Sequence, residues 1–201
     1  MWTHGIGSTR RLLLALACAS VPVVLGMPAL SIGQDVKPGA GAPPAARVED
    51  VRSIESTLAS LYATISGPAG PRDWDRLRDL CLPGARFIPC RRGAEGTATA
   101  RVLAVEEFIK ASEPALRQRG FFEREVRRRV ERFGAVAHVF STYESRHAAA
   151  DAEPFARGIN NIQLFHDGAR WWIVTIFWDA ERPDHPIPAD YLPPRESKPN
   201  H

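Results

Sequence analysis

Residues 156–179, ARGINNIQLFHDGARWWIVTIFWD, decide the fold of this chain. Two β-like runs, 156–166 and 170–179, are joined through Asp167-Gly168, one of the strongest hairpin dipeptides. The second run is almost entirely apolar, which is typical of a strand that is covered on both faces. We therefore expect helices on one side of this strand and the C-terminal tail or a partner on the other.

The strands before this hairpin extend it into a meander. Residues 121–132 and 136–146 are β-like and are joined through Phe133-Gly134, a tight hairpin signal. A short strand is predicted over 85–89, and a polar loop follows it at 91–97. Long antiparallel strands that come after a helical half are typical of an α+β order.

Helical periodicity dominates the N-terminal half of the domain. Apolar residues recur at steps of three and four over 48–65, which predicts one amphipathic helix of about five turns. Gly67-Pro68 would end this helix. Further helices are predicted over 73–80 and over 105–119, where Pro114 would kink or divide the second of them. The predicted fold is α+β and cone-like, with three N-terminal helices packed on a strongly curved, mainly antiparallel sheet.

Residues 1–33 are predicted to be a signal peptide. The first part has no acidic residue and ends in Arg10-Arg11, and the apolar run 12–25 is too short and proline-broken for a stable membrane anchor. Cleavage is predicted before Gln34, with Ser31 as the alternative end. We expect an exported protein, periplasmic or secreted. The alternative is a buried N-terminal helix.

The general secretory route is favoured for this export. Arg10-Arg11 before a leucine run also resembles a twin-arginine motif, which a receptor reads as an address. Cys18 leaves lipidation as a further alternative, although the apolar run continues past it.

Removal of the signal changes the net charge. The whole chain has 26 basic and 23 acidic residues, and residues 1–33 contain two arginines and no acid, so the mature part carries 24 − 23 = +1. A near-neutral domain lacks the clustered basic surface that nucleic-acid binding requires. We therefore expect no nucleic-acid partner. The apolar run is too short for a stable membrane anchor in the mature chain, and the cysteine spacing carries no metal-ligand signature, so no metal is expected. Nucleotide cofactors are scarce outside the cytoplasm, so we expect no cofactor.

The mature chain is predicted to contain one domain. Residues 34–47 are rich in Pro, Gly and Ala and form a disordered linker, the domain spans 48–182, and 183–201 form a proline-rich extended tail. Cys81 and Cys90 could form a disulfide. The extended strand predicted between them would instead hold the two thiols apart.

Two segments resemble the SnoaL-like branch of the nuclear transport factor 2 superfamily. GPRDWDRL at 70–77 with LPGARF at 82–87 is similar to the pattern D-W-x-x-L…L-F-x-P-D-A-x-F, and DGARWWIV at 167–174 is similar to the closing strand D-G-x-W-x-I-x. The resemblance covers about 48–179 and implies a cone-shaped fold.

The same resemblance leaves the activity open. The superfamily includes ketosteroid isomerases, polyketide cyclases, dehydratases and non-catalytic binding modules, and its enzymes place an acid–base Asp or His, often with a Tyr, inside the cone. Gly84 stands where the family usually has an acidic residue. Fold-level likeness alone therefore assigns no reaction.

A ligand-binding face is predicted on the last hairpin. If its turn has two residues, Gln163 lies opposite Trp172 and Asn161 lies opposite Val174. An apolar wall with two amide groups suits a small-molecule pocket, which aromatic residues of the helices would close. The predicted ligand-binding residues are Tyr62, Trp74, Asn161, Gln163, Trp172 and Trp178. The alternative places the amides in bonds between strands or across a dimer interface, and the helical aromatics in the core.

His138 is the weak candidate for catalysis. A histidine on an inward-facing strand can transfer protons near neutral pH. Strand alternation, however, directs His138 and Tyr143 to opposite faces, so a structural or surface role is the alternative. Asp73 and Asp75 lie near a helix start, where carboxylates usually cap. The mixed charges over 123–132 predict cross-strand ion pairs on a solvated or dimeric sheet face.

Three functions remain open at this point. The first is an exported domain, homodimeric through its sheet, that binds a small apolar ligand in the cone pocket. The second is a cofactor-independent isomerase, cyclase or dehydratase that acts by proton transfer, which requires an ionisable group inside the cone. The third is a structural or interaction module whose core is filled by side chains.

Overall fold

A computed structural model describes residues 47–93 and 96–194. The predicted signal peptide, nearly all of the predicted linker and the last residues of the tail lie outside the described residues. Within the described part of the chain, no helix combines the length and the apolar character needed to cross a membrane.

Four α-helices form the helical layer, and the first predicted helix is divided in two. The division occurs at Ser53, whose hydroxyl accepts the N–H of Ser56 at 3.1 Å while the Ser56 hydroxyl accepts the N–H of Ser53 at 3.1 Å. This capping box starts a new helix in the middle of the apolar pattern. Asp73 caps the third helix as predicted, and the fourth helix runs through Pro114 without division. The helices are α1 (Val48–Val51), α2 (Ile54–Ile65), α3 (Trp74–Leu80) and α4 (Val105–Gln118).

Seven strands of the described residues form one curved, open sheet. The strands are β1 (Cys81–Arg92), β2 (Ala98–Ala100), β3 (Leu103–Ala104), β4 (Phe122–Phe133), β5 (Val136–Arg146), β6 (Ala156–His166) and β7 (Trp171–Ala180). Their order is β2-β1-β7-β6-β5-β4, with β3 paired to β1. β1 and β7 are parallel and the other pairs are antiparallel. β1 is longer than predicted, and β2 and β3 were not predicted.

The hydrophobic core lies between the helices and one face of this sheet, which we call the inner face. Leu58 and Leu77 from the helices and Val139, Ile162 and Ile173 from the strands are completely buried there. The predicted α+β, cone-like fold is therefore the observed one. Cys81 and Cys90 both lie on β1 and are free thiols, so the strand between them holds them apart.

The C-terminal tail crosses part of the opposite face, which we call the outer face. Ile187 of the tail is buried, and Thr142 donates from its hydroxyl to the carbonyl oxygen of Tyr191 at 2.6 Å. The tail is not extended throughout, because residues 189–191 form a short 3₁₀ helix. Phe177 on β7 is 40% exposed, so the predicted cover of the last strand is incomplete on this face.

Gly158→Ala is expected to destabilise the domain by about 1–3 kcal/mol, the usual cost of overpacking a core. A Cβ at Gly158 on β6 would collide with the backbone oxygen of Asp179 on β7 and with the side chain of Tyr143 on β5. Urea denaturation measures the loss. Gln163→Ala, at an exposed position of the same strand, is the control and should stay within about 0.5 kcal/mol. Equal stability of the two variants would contradict this packing.

Candidate functional site

A row of polar side chains on β5 faces the helices. Ser141, Tyr143 and Ser145 alternate along the strand, and all three are buried. Alternate residues of a strand share one face, so this row lies on the inner face beside α2. Buried polar groups need hydrogen-bond partners, and the hydroxyls of Ser141 and Ser145 find them on α2 and β4.

A β-bulge in β4 places Arg128 on the same inner face as Glu123 and Glu125. Glu125 lies opposite Tyr143 and Arg128 lies opposite Ser141, because the register shifts between Glu125 and Arg127. One extra residue in a bulge changes the face on which the following side chains lie. Without the shift, Arg127 would share the face of Glu125, and Arg128 would lie on the outer face.

Glu123 has an enclosed carboxyl group that touches no cation. The carboxylate accepts the hydroxyl of Ser145 at 2.8 Å and the side-chain amide of Asn160 at 3.4 Å. Although the residue as a whole is half-buried, the enclosure of its carboxyl group raises the pKa of Glu123 to about 7. This carboxyl group can therefore both accept and release a proton near neutral pH.

The backbone of Glu123 is tied to the end of α2. The hydroxyl of Ser66 accepts the N–H of Glu123 at 2.9 Å and donates to its carbonyl oxygen at 3.1 Å. These two bonds hold the strand against the helix, so the carboxyl group of Glu123 has a defined position relative to α2.

Tyr62 of α2 connects the polar groups on three strands. Its hydroxyl accepts the side-chain amide of Asn160 at 3.1 Å and lies 2.7 Å from the hydroxyl oxygen of Ser141, which in turn donates to Glu125. Burial and the nearby charge of Glu123 raise the pKa of Tyr62 above its ordinary value. The phenol is therefore neutral near pH 7. Burial likewise raises the pKa of Tyr143.

An open cavity of about 630 Å³ lies between α2, β4 and the loop that follows β5. This volume is within the usual range of ligand pockets, about 300–1,000 Å³. The wall residues that carry polar or charged groups are Tyr62, Ser66, Glu123, Arg124, Glu125, Arg128, Arg146 and Asp151. The third alternative from the sequence, a cone filled by side chains, does not agree with this cavity.

The residue pairings predicted for the last hairpin are not the observed ones. The turn is longer than two residues, with His166 opposite Trp171, and a bulge shifts the register so that Gln163 lies opposite Thr175. Trp172 consequently pairs with Phe165 rather than with Gln163. The predicted pairings were wrong because the turn contains four residues, 167–170, and because the bulge at Val174 shifts the register by one further residue.

The predicted ligand residues are thus distributed over several places. Tyr62 lines the cavity, whereas Trp74 belongs to the hydrophobic core. Trp172 lies at the hairpin turn, where its Nε1 donates to Asp167 at 2.7 Å. Trp178 packs its ring against Phe108 at 6.3 Å between centroids.

The two predicted amides lie on the outer face, away from this cavity. Asn161 and Gln163 are half-buried and exposed, respectively, and Asn161 lies opposite the exposed Phe177. A smaller cavity of about 230 Å³ between the outer face and the tail includes Asn161. Ligand binding by these residues stays a prediction.

His138 is not inside the cone, so its proposed catalytic role lacks the required position. Its side chain is 41% exposed, lies on the outer face beside Phe140 and has Glu131 at 3.9 Å. As predicted, Tyr143 lies on the opposite face of the same strand. Asp73 caps α3, and Asp75 pairs with Arg78 at 2.7 Å.

Cross-strand ion pairs are present, but they do not account for all of the charges on β4. Arg124 pairs with Glu144 of β5 at 3.0 Å, as the mixed charges predicted. Glu123 was grouped with these surface charges and instead has the environment of a buried acid. One signal in the sequence could have located it, namely the polar alternation Ser141, Tyr143, Ser145 on the neighbouring strand. The bulge has no recognisable signature in the sequence.

The arrangement of one helical layer on a curved, open sheet is the α+β cone that the sequence predicted. No family model matches the chain, and a search of curated proteins finds no match. Within residues 47–93 and 96–194, no group of three or more His, Cys, Asp or Glu residues is placed to hold a metal ion.

Comparison with solved structures gives several matches at low sequence identity. A nuclear transport factor 2-like protein of unknown function from Silicibacter pomeroyi has a TM-score of 0.45 at 14% identity, covering 65% of this chain and 94% of its own. A second such protein from Shewanella baltica has a TM-score of 0.41 at 11% identity, covering 64% and 91%. A candidate ketosteroid isomerase from Shewanella frigidimarina has a TM-score of 0.42 at 13% identity, covering 68% and 100%.

Proposed function

We propose that the cavity beside α2 binds a small organic molecule and that Glu123 transfers a proton to or from it, which is chemistry of the isomerase, cyclase or dehydratase class. The proposal rests on the position and the pKa of the Glu123 carboxyl group. Glu123 places an enclosed carboxyl group, free of any cation and with a pKa of about 7, on the wall of an open cavity of about 630 Å³. A general base is most effective when its pKa lies near the working pH.

The step assigned to Glu123 is the removal of a proton from carbon next to a carbonyl group. The carboxylate takes the proton as the C–H bond breaks, and the electron pair moves onto the carbonyl oxygen to form an enolate. The neutral carboxyl group then returns the proton, to a second carbon in an isomerisation or to a leaving hydroxyl in a dehydration. No cofactor is needed for this sequence of steps.

Tyr62 and Ser145 are positioning residues in this proposal. Ser145 donates to the Glu123 carboxylate, and Tyr62 accepts the amide of Asn160, which donates to the other carboxylate oxygen. These contacts fix the orientation of the carboxyl group without neutralising it. Burial without a neighbouring cation raises the pKa of a carboxyl group, although the hydrogen bonds from Ser145 and Asn160 act in the opposite direction.

Solvent deuterium exchange tests the proposal. Butyrophenone, which is neutral, and 3-benzoylpropionate, which is anionic, each carry a CH₂ group next to a ketone, and proton NMR in D₂O follows its exchange. We expect the protein to accelerate exchange of at least one probe, and the rate to rise with pH through about 7, because the ionised form of Glu123 is the base. No acceleration of either probe between about pH 5 and 9 contradicts the proposal.

Export and dimerisation through the outer face of the sheet stay proposals from the sequence. Export rests on the basic start and the apolar run at 12–25. Dimerisation draws support from two apolar side chains at the turn between β4 and β5. Phe133 is 87% exposed and Val136 is 56% exposed. Monodisperse sedimentation of the purified protein as a monomer would exclude the dimer.

A further inference from the structure

We propose that the occupant of the cavity is a small organic acid and that Arg128 binds its carboxylate. The inference rests on the proposed function for the orientation of the ligand towards Glu123. The binding of the acid itself can be tested without any catalysis.

Arg128 lines the cavity and has a buried N–H group without a hydrogen-bond partner. Its Nε donates to Glu125 at 2.5 Å, whereas its Nη1 has no hydrogen-bond partner and lies 3.9 Å from the nearest oxygen of Glu55. Glu55 is 71% exposed at its side chain, so this longer contact is screened by water. A guanidinium group offers five N–H donors in a planar fork that matches a carboxylate. An incoming carboxylate would supply the partner that Nη1 lacks.

The other two arginines of the cavity wall are engaged with protein groups. Arg146 donates from Nε to the carbonyl oxygen of Asp151 at 2.9 Å and from Nη1 to Glu144 at 2.9 Å. Arg124 donates from Nη2 to the same carboxylate of Glu144 at 3.0 Å. These bonds hold both side chains in place. Arg128 is therefore the arginine best suited to bind a ligand here.

The protonation of Glu123 also affects an anion in the cavity. Arg124 and Arg146 both contact Glu144, so this acid offsets part of their charge. An ionised Glu123 would repel a bound carboxylate, whereas a neutral Glu123 would not. A bound carboxylate and the neutral form of Glu123 therefore stabilise each other.

Glu123 is the group to which we assign a change of protonation near pH 7. Tyr62 on α2 and Tyr143 on β5 are neutral there, because burial raises the pKa of each. Asn160 on β6 and Ser66 at the end of α2 do not titrate. Glu125 on the same strand is held by Arg128 and Ser141. Affinity for an organic acid should thus fall as the pH rises through about 7.

Benzoate and benzamide, which have nearly the same shape, separate charge from shape. Isothermal titration of the full chain at pH 6 should show tighter binding of benzoate than of benzamide. Arg128→Gln should weaken benzoate binding by about 10- to 100-fold, since a charge-assisted bond contributes about 1.5–3 kcal/mol. Benzamide binding should change little, which also reports that the variant is folded.

Two further variants make the test specific. Arg129→Gln lies on the same strand but on the outer face, where Arg129 stacks over Tyr191, and should leave benzoate affinity unchanged. In wild type, benzoate affinity should be lower at pH 8 than at pH 6. Glu123→Gln should remove this dependence, because glutamine is neutral at both values.

The outcomes distinguish this inference from the proposed function. Equal affinity for benzoate and benzamide, or unchanged benzoate binding in Arg128→Gln, overturns the carboxylate site. If butyrophenone exchanges as fast as 3-benzoylpropionate, proton transfer stands and the preference for an acid fails. If benzoate binding depends on Arg128 while neither ketone exchanges, the anion site stands and the proposed proton transfer fails.

Discussion

Glu123→Gln is expected to lower the rate of catalysed deuterium exchange by about 100- to 10,000-fold, the usual contribution of a positioned general base. Glutamine has the shape of the protonated glutamic acid and can keep contacts to Ser145 and Asn160 through its amide. It cannot accept a proton near neutral pH. The loss should therefore appear in kcat, with little change in the affinity for a ketone probe.

Glu131→Gln is the matched control for this loss. Glu131 lies on the same strand, and its side chain is 87% exposed opposite His138 on the outer face. Its replacement should leave the exchange rate unchanged. If Glu123→Gln exchanges deuterium as fast as the wild type, another group is the base and the assignment of Glu123 is wrong.

The same substitution should stabilise the fold at alkaline pH. The pKa of Glu123 is raised from 4.5 to about 7 in the folded protein. Between these values the folded state holds a proton that the unfolded state releases, so the free energy of unfolding decreases as the pH rises from about 4.5 to about 7. Above that window the whole penalty, about 3 kcal/mol, is present. Glu123→Gln removes the ionisation and should recover up to about that amount at pH 8.

Urea denaturation at pH 5 and pH 8 measures this effect. The gain in Glu123→Gln should be small at pH 5, where most of the wild-type residue is already neutral, and large at pH 8. Glu131→Gln should change the free energy of unfolding by less than about 0.5 kcal/mol at either pH. A destabilised Glu123→Gln variant at pH 8 would contradict the raised pKa, because it would mean that the carboxylate is favourably bound.

These two predictions describe one compromise within the domain. A carboxyl group enclosed without a cation costs stability when it ionises, and the same enclosure brings its pKa close to the pH at which a base is useful. An arginine beside Glu123 would remove the cost and lower the pKa. Arg128 instead contacts Glu125, which leaves Glu123 free to titrate.

Most of the elements could be predicted because their signals are local. The hairpin at Gly134, which has φ of +55°, and the strand ends on either side of it follow from turn chemistry and alternation. The break between α1 and α2 was missed because the apolar pattern continues across Ser53. The capping box at Ser53 nevertheless starts a new helix. β2 and β3 were missed because short edge strands are formed by pairing with β1 and have little pattern of their own.

The candidate site could be predicted only in part, and the reason is register. Tyr62 was identified as an inward aromatic residue because helical periodicity places it on the apolar side of α2. Glu123 and Arg128 were read as surface charges, since regular alternation along β4 gives no indication of a bulge. A slip of one residue changes the face of every side chain that follows. The same kind of bulge, at Val174, places Trp178 on the face opposite to Asn161 and Gln163.

The sequence by itself determined the α+β order, the long hairpins, the capped helices and the near-neutral charge of the domain, because each depends on residues close together in the chain. The tertiary structure decided which charges are enclosed and which amides face the helices. Those outcomes depend on two bulges and on contacts such as Tyr62 to Asn160, which join residues 98 positions apart. The hairpin at 156–179 accordingly sets the fold, whereas β4, across the sheet from its last strand, carries the acid on which the proposed function depends.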